Sequence, residues 1–328
     1  MDIAVLGCES MGARSLAVVV RTGDRCIVID PGVALGMLRG GLAPHPLEIA
    51  AAEAARTRIL DALTDATDVV VTHYHGDHLP LAGPSPYQPG CADLPDLSGA
   101  RLWCKGPEGI SRTSLARRRD LERCLGRPLA SAEGRGDAQV RCSQGVLHGS
   151  PASHLGQVMM VRIAEGDEVF VYASDMQALD DAAVATIYGW SPGTLLASGP
   201  PLYLRELSMA DRKSAWLNAL FLAGVVPTLI LDHHLMRSAA GPVWLDHLAA
   251  HTEHRVCCGA AFMGEELRLL EADRPALYAA MPVPAGWHEA YLRGEADPAA
   301  CGMAGKEQHP PPSGPTSPAS PPERETGR

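Results

Sequence analysis

The sequence predicts an α+β sandwich: two mixed β-sheets packed face to face with helices outside, in αββα order. Two observations point there. The chain opens in a ββαβ pattern, with short β-branched runs at 16–20 and 26–29, a helical stretch at 47–63 and a buried-type strand at 68–72. A second hairpin at 157–172 begins an echo of that pattern, and two such units bury their apolar faces best against each other.

In chain order, residues 3–6 form a first strand. Thr22-Gly23-Asp24 turns between the two runs of the first hairpin, and Pro31-Gly32 ends the second run sharply. Residues 47–63 carry Ala, Glu, Arg and Leu with helical spacing. Residues 80–100 are rich in Pro and Gly and read as a loop; 102–104 suit a strand and 111–125 a basic helix. Beyond a turn at 134–137, residues 157–163 and 168–172 make the second hairpin around Glu165-Gly166-Asp167. A helix is expected at 204–222, a strand at 228–231, and helices at 243–253 and 265–280. One domain is therefore expected over 1–302. The Pro- and Ser-rich tail at 303–328 cannot bury enough apolar surface to order itself.

Of the 328 residues, 46% are hydrophobic, enough for a large core, yet no run reaches the roughly 18–20 apolar residues that span a bilayer. Val5-Leu6-Gly7-Cys8 has the look of a lipoprotein cleavage box, but no basic segment precedes it. Nine cysteines without a CxxC pair suit a reduced, cytoplasmic protein. The net charge of −10 disfavours nucleic acid and anionic membrane as partners. Self-association is left open.

The chemistry concentrates at Thr72-His73-Tyr74-His75-Gly76-Asp77-His78, directly after a strand. Three histidines and an aspartate in six residues supply the nitrogen and oxygen donors that zinc takes. Side chains alternate along extended backbone, so His73 and His75 point the same way and can share one ion, while Asp77 and His78 turn toward a second.

HxHxDH after a buried strand resembles the signature of the metallo-β-lactamase superfamily, and four further stretches resemble its other markers in order. Val28-Ile29-Asp30-Pro31-Gly32 implies that Asp30 props the histidine loop without binding metal. Leu147-His148-Gly149 implies that His148 completes the first ion, with His154 as rival. Tyr172-Ala173-Ser174-Asp175 implies that Asp175 bridges two ions, and Leu231-Asp232-His233-His234 that His233 completes the second. A narrower resemblance lies in Arg14-Ser15-Leu16, Asp30 to Leu35, Gly41 to His45, Ala173 to Gln177, Gly199 to Leu204 and Leu231 to His234. It is to a branch known only as predicted metal-dependent hydrolases and brings no substrate.

The expected ligand set is thus His73, His75, Asp77, His78, His148, Asp175 and His233, with Asp77, His233 and His234 as candidate catalytic residues. Two Zn2+ ions are expected, with Mn2+ or Fe2+ as alternatives. Such a pair holds and acidifies a bridging water, and His233 or His234 protonates the leaving group. The partner is then a small-molecule or phosphoester substrate, an ester being the other choice. Arginines 112, 117, 118, 119, 123 and 127 favour phosphate weakly, against a plain solvated helix face. His45 reads as a surface-loop histidine, and His247, His251 and His254 as a polar helix face. A redox di-iron protein of this fold resembles HxExDH, with a carboxylate where His75 stands, so it is disfavoured; a metal-binding protein without turnover is the other rival.

Overall fold

The computed structural model describes residues 1–300 apart from 37, 84–85 and 151–152. The expected tail at 303–328 lies outside the described residues. Strands β1 (Asp2–Cys8), β2 (Leu16–Arg21), β3 (Cys26–Ile29), β4 (Asp68–Val71) and β5 (Arg101–Cys104) make one sheet in chain order. Its first two pairings are antiparallel and its last two parallel. The second sheet runs β11 (Arg255–Cys257), β10 (Thr228–Leu231), β9 (Thr194–Ala197), β8 (Glu168–Ala173), β7 (Gln157–Glu165), β6 (Val140–Leu147). It repeats the scheme, antiparallel from β6 to β8 and parallel from β8 to β11.

Residue alternation builds the layers. Val18, Val20, Ile27 and Ile29 share one continuous core with Val161, Ile163, Phe170 and Tyr172 of the other sheet, whose Tyr172 Oη reaches Leu16 O (2.9 Å). Their neighbours Ala17, Val19, Cys26 and Val28 face outward and are covered by helix α1 (Pro46–Thr64). That helix presents Ile49, Ala52, Ala55, Ile59 and Leu63, positions three or four apart and hence on one side. Its N-terminus is closed by His45, whose ring accepts from Leu47 N (3.3 Å) while Glu48 accepts from His45 N (3.0 Å). This corrects the surface-loop reading of His45: the ring is buried and its Nε2 lies 3.0 Å from Met281 O.

Helices α2 (Arg112–Leu125), α3 (Asp181–Trp190), α4 (Met209–Val225), α5 (Gly241–Ala249), α6 (Gly259–Met263), α7 (Arg274–Ala280) and α8 (Trp287–Leu292) follow. The helix expected from 204 starts only at Met209, because Ser208 caps Asp211 N (3.0 Å). The single helix expected at 265–280 is broken. Residues 264–273 instead run along the connection between β1 and β2, with Arg268 N donating to Ser10 O (2.7 Å) and Glu271 accepting from Arg14 (2.9 and 2.8 Å). Strands β6, β9 and β11 and helices α3, α6 and α8 were not expected. No helix among the described residues is long and apolar enough to cross a membrane.

Candidate metal centre

The functional side chains leave the C-terminal ends of parallel strands, where both sheets open to the same edge. Asp30 follows β3, His73 to His78 follow β4, Asp175 follows β8, and Asp232 to His234 follow β10. Asp30, Asp175 and His233 each adopt positive φ (46°, 57° and 49°), a conformation costly for residues with a side chain. Gly32 is needed for space: a Cβ there would lie 2.1 Å from Leu79 N and 2.4 Å from His78 C. The Asp30-Pro31-Gly32 turn can therefore pass directly beneath the histidine loop only with glycine at that point.

The expected ligands are brought together. Ligand atoms of His73, His75, His148 and Asp175 lie within 4.8 Å of one another, as do those of Asp77, His78 and His233. Asp175 stands between the two sets, and its oxygens divide the histidines. Oδ2 faces His73 Nε2 (3.3 Å), His148 Nε2 (3.2 Å) and His234 Nε2 (3.3 Å). Oδ1 faces His233 Nε2 (3.4 Å) and His78 Nε2 (3.7 Å). His154 is exposed, whereas His148 is buried beside Asp175. His233 falls with Asp77 and His78; His234 falls on the Oδ2 side.

Outer partners fix the rings. His78 donates from Nδ1 to Asp30 Oδ2 (3.1 Å), and His233 donates from Nδ1 to Glu9 Oε2 (2.7 Å). Thr72 donates its hydroxyl to Asp30, so His73 Nδ1 donates to Thr72 Oγ1 (3.1 Å). In all three rings Nε2 is turned into the centre; burial works against a charged His78, but Asp175, Asp30 and Asp77 raise it to about 9. Burial holds His75 and His233 down to about 3 and His234 down to about 4, so these rings are neutral near pH 7. Burial alone would raise the Asp175 carboxyl, but His234, His78, His233 and His148 hold it well below the usual carboxylate range.

The first set fits a divalent cation. Nε2 atoms of His73, His148 and His234 are buried without a hydrogen-bond partner, and all three surround one carboxylate oxygen. Buried polar atoms are nearly always paired, so three orphans at one point mark a place for a ligand. Three imidazoles and a carboxylate are a donor set that zinc takes.

The profile of the Metallo-beta-lactamase superfamily matches residues 12–176. The chain belongs to that superfamily. Relatives in it include a UPF0282 protein of Methanosarcina mazei, 52% identical over 90% of this chain and 98% of its own length. UPF0282 proteins of Pyrobaculum neutrophilum (34% identical, 86% of this chain and 96% of theirs) and Pyrococcus furiosus (33%, 85% and 92%) are also similar. Among solved structures, Tm1679, a metal-dependent hydrolase of the beta-lactamase superfamily, matches at 11% identity with a TM-score of 0.46, covering 78% of this chain and 94% of that one. Superfamily membership and the His/Asp cluster together support a metal-dependent hydrolase in general terms.

Three residues at the superfamily site had no role assigned from the sequence. Glu9, at the end of the first strand, is buried and accepts from His233. Arg237 donates to it from Nε (2.6 Å) and to Asp77 Oδ2 from Nη2 (2.8 Å). Tyr203 Oη lies 2.9 Å from His234 Nδ1. Arg237 follows His233 by four residues, one helical turn, which is the signal that spacing offers; Glu9 offers none. The α2 arginines are partly engaged internally: Arg117 donates to Tyr74 O (3.1 Å), Arg127 to Leu97 O and Ala100 O (both 2.9 Å), and buried Arg118 pairs with Glu122 (2.8 Å). His247 stacks on Trp216 at 4.9 Å and His251 binds His247 O (2.8 Å); neither enters a candidate metal cluster among the described residues. The loop at 80–100 packs Leu81 and Gln88 against Gly76, beside the ligands.

Proposed function

We propose that this protein is a hydrolase of esters or phosphoesters that works with zinc. His73, His75, His148 and Asp175 would hold one ion, and Asp77, His78, His233 and the other oxygen of Asp175 a second. The observation that carries this reading is the convergence of three unpartnered histidine nitrogens on Asp175 Oδ2. When bound, the metal supplies Lewis acidity and lowers the pKa of water so that hydroxide is available near neutral pH.

The chain's own residues supply the rest. Asp30, Thr72 and Glu9 hold the His78, His73 and His233 rings at Nδ1, so that Nε2 is presented to the centre without rearrangement. His234 is the residue proposed to move a proton. Tyr203 Oη, 2.9 Å from His234 Nδ1, would steady the ring in that role. Nothing in the arginine segment separates an ester from a phosphoester, since its better-placed members are already engaged.

The test is metal content on protein purified without added metal, for wild type, Asp175→Ala and His148→Ala. These are read beside hydrolysis of p-nitrophenyl esters and bis-p-nitrophenyl phosphate. Stoichiometric zinc in wild type, lost in both variants with the activity, is the expected result. Iron with visible colour would favour the redox alternative. No metal even after zinc is supplied would overturn the reading.

A further inference from the structure

Arg237 is 5% exposed and lies inside the second ligand set. Its Nη2 is 2.8 Å from Asp77 Oδ2 and 2.9 Å from His233 Nε2, so one nitrogen engages two of the three ligand atoms there. His233 Nδ1 is turned to Glu9 Oε2 (2.7 Å) and Ser15 O (3.1 Å), which leaves Nε2 with a single lone pair. That lone pair can accept from the guanidinium or bind a metal, not both. His78 Nε2 also lies within hydrogen-bond distance of His233 Nε2, at 3.1 Å. The first set has no such occupant: the Nε2 atoms of His73 and His148 have no hydrogen-bond partner.

We propose that Arg237 is a built-in cation that competes with the second metal ion, so that the centre loads its first ion readily and its second only by displacing the guanidinium. The inference rests on the proposed metal centre and adds an order of loading to it. Displacement has a ready path. Arg237 Nε is bound to Glu9 Oε1 at 2.6 Å. The head group can release Asp77 and His233 while keeping its hold on Glu9. With one ion bound, Arg237 neutralises Asp77; with two, the metal does. Arg237 thus sets how much free metal is needed to complete the centre.

The test is titration of metal-stripped protein with Co2+, following visible absorption and counting bound ions by native mass spectrometry, for wild type and Arg237→Met. Wild type is expected to bind in two separate steps. In R237M the second step should move to at least about tenfold lower free Co2+, because two charge-assisted hydrogen bonds no longer oppose it. The first step should stay within about twofold. Removing Arg237 leaves Glu9 buried without its partner, so Glu9→Gln/Arg237→Met, in which Gln still accepts from His233 Nδ1, decides the matter if the single variant does not fold. Two indistinguishable steps in wild type, or a second step at the same free Co2+ in both proteins, would overturn the inference while leaving the metal centre intact. Absence of any binding in wild type would remove both.

Discussion

Asp30 and His78 meet below the metal centre, carboxylate to Nδ1 at 3.1 Å, with both side chains wholly buried. The same carboxylate accepts from Thr72 N (2.7 Å) and from Tyr172 Oη (2.9 Å), so a single group from the first sheet orients one ligand and the loop that carries the others. Asp30→Ala is expected to weaken zinc binding by about 10–100-fold. It should also lower stability by about 1–3 kcal/mol for each buried donor left unpaired. Chelator competition and urea unfolding of the metal-free protein separate the two effects. Unchanged zinc affinity would mean that Asp30 supports the fold alone.

Gly32 acts on the same loop through space. An alanine methyl there would overlap the backbone of His78 and Leu79, which cannot move without carrying the histidine run with it. Gly32→Ala is expected to cost about 3 kcal/mol, an overpacking penalty, and to disorder the second ligand set more than the first. Urea midpoints together with the Co2+ spectrum check this; a spectrum and midpoint like those of wild type would contradict it.

Much of the layered fold was legible because its signals are local. Val18, Val20, Ile27 and Ile29 alternate with the outward residues, and α1 repeats its apolar positions at helical spacing. Strand β9 is four residues and β11 three, too short for periodicity to register, and β6 carries a register shift between Cys142 and Gly145. The stretch at 265–280 has helical composition, but Glu271 is held by Arg14 and Arg39, more than 200 positions away in sequence. A tertiary contact of that kind overrides local preference. At the site, the dense donors stood out by residue type. Glu9 and Arg237 did not, because a carboxylate and a guanidinium look the same in sequence whether they face water or a ligand.

Asp68 offers a pH test away from the ligands. Burial would raise its carboxyl, but hydrogen bonds from Arg25 (2.8 Å at Oδ2), Trp103 Nε1 (2.8 Å) and Thr67 hold it below the usual value of 3.8. A folded pKa below the unfolded one means that the carboxylate stabilises the protein at and above the unfolded value. That contribution is lost as pH falls through the folded pKa. Asp68→Asn should therefore be less stable than wild type near pH 7, with the gap closing below about pH 4. Urea midpoints of both proteins across that range decide it; a gap that stays constant would show that charge is not what matters at this position.

Arg274 ties the C-terminal segment to the body of the fold. It is fully buried and donates to both oxygens of Glu48 (2.8 and 2.7 Å), to Leu42 O and to Gly36 O (both 2.9 Å). Desolvation makes such a pair a weak source of net stability, yet removing one member leaves the other charged and buried. Arg274→Ala is accordingly expected to cost about 3–5 kcal/mol, more than a surface ion pair could explain. The double variant Glu48→Leu/Arg274→Met should recover most of that loss, because neither charge remains. It should not recover all of it, since His45 N and the two carbonyls lose their partners. A double-mutant cycle in urea unfolding measures the coupling. A single-variant cost below about 1 kcal/mol would mean that water reaches Glu48 once Arg274 is gone, and that the segment is held by its apolar contacts instead.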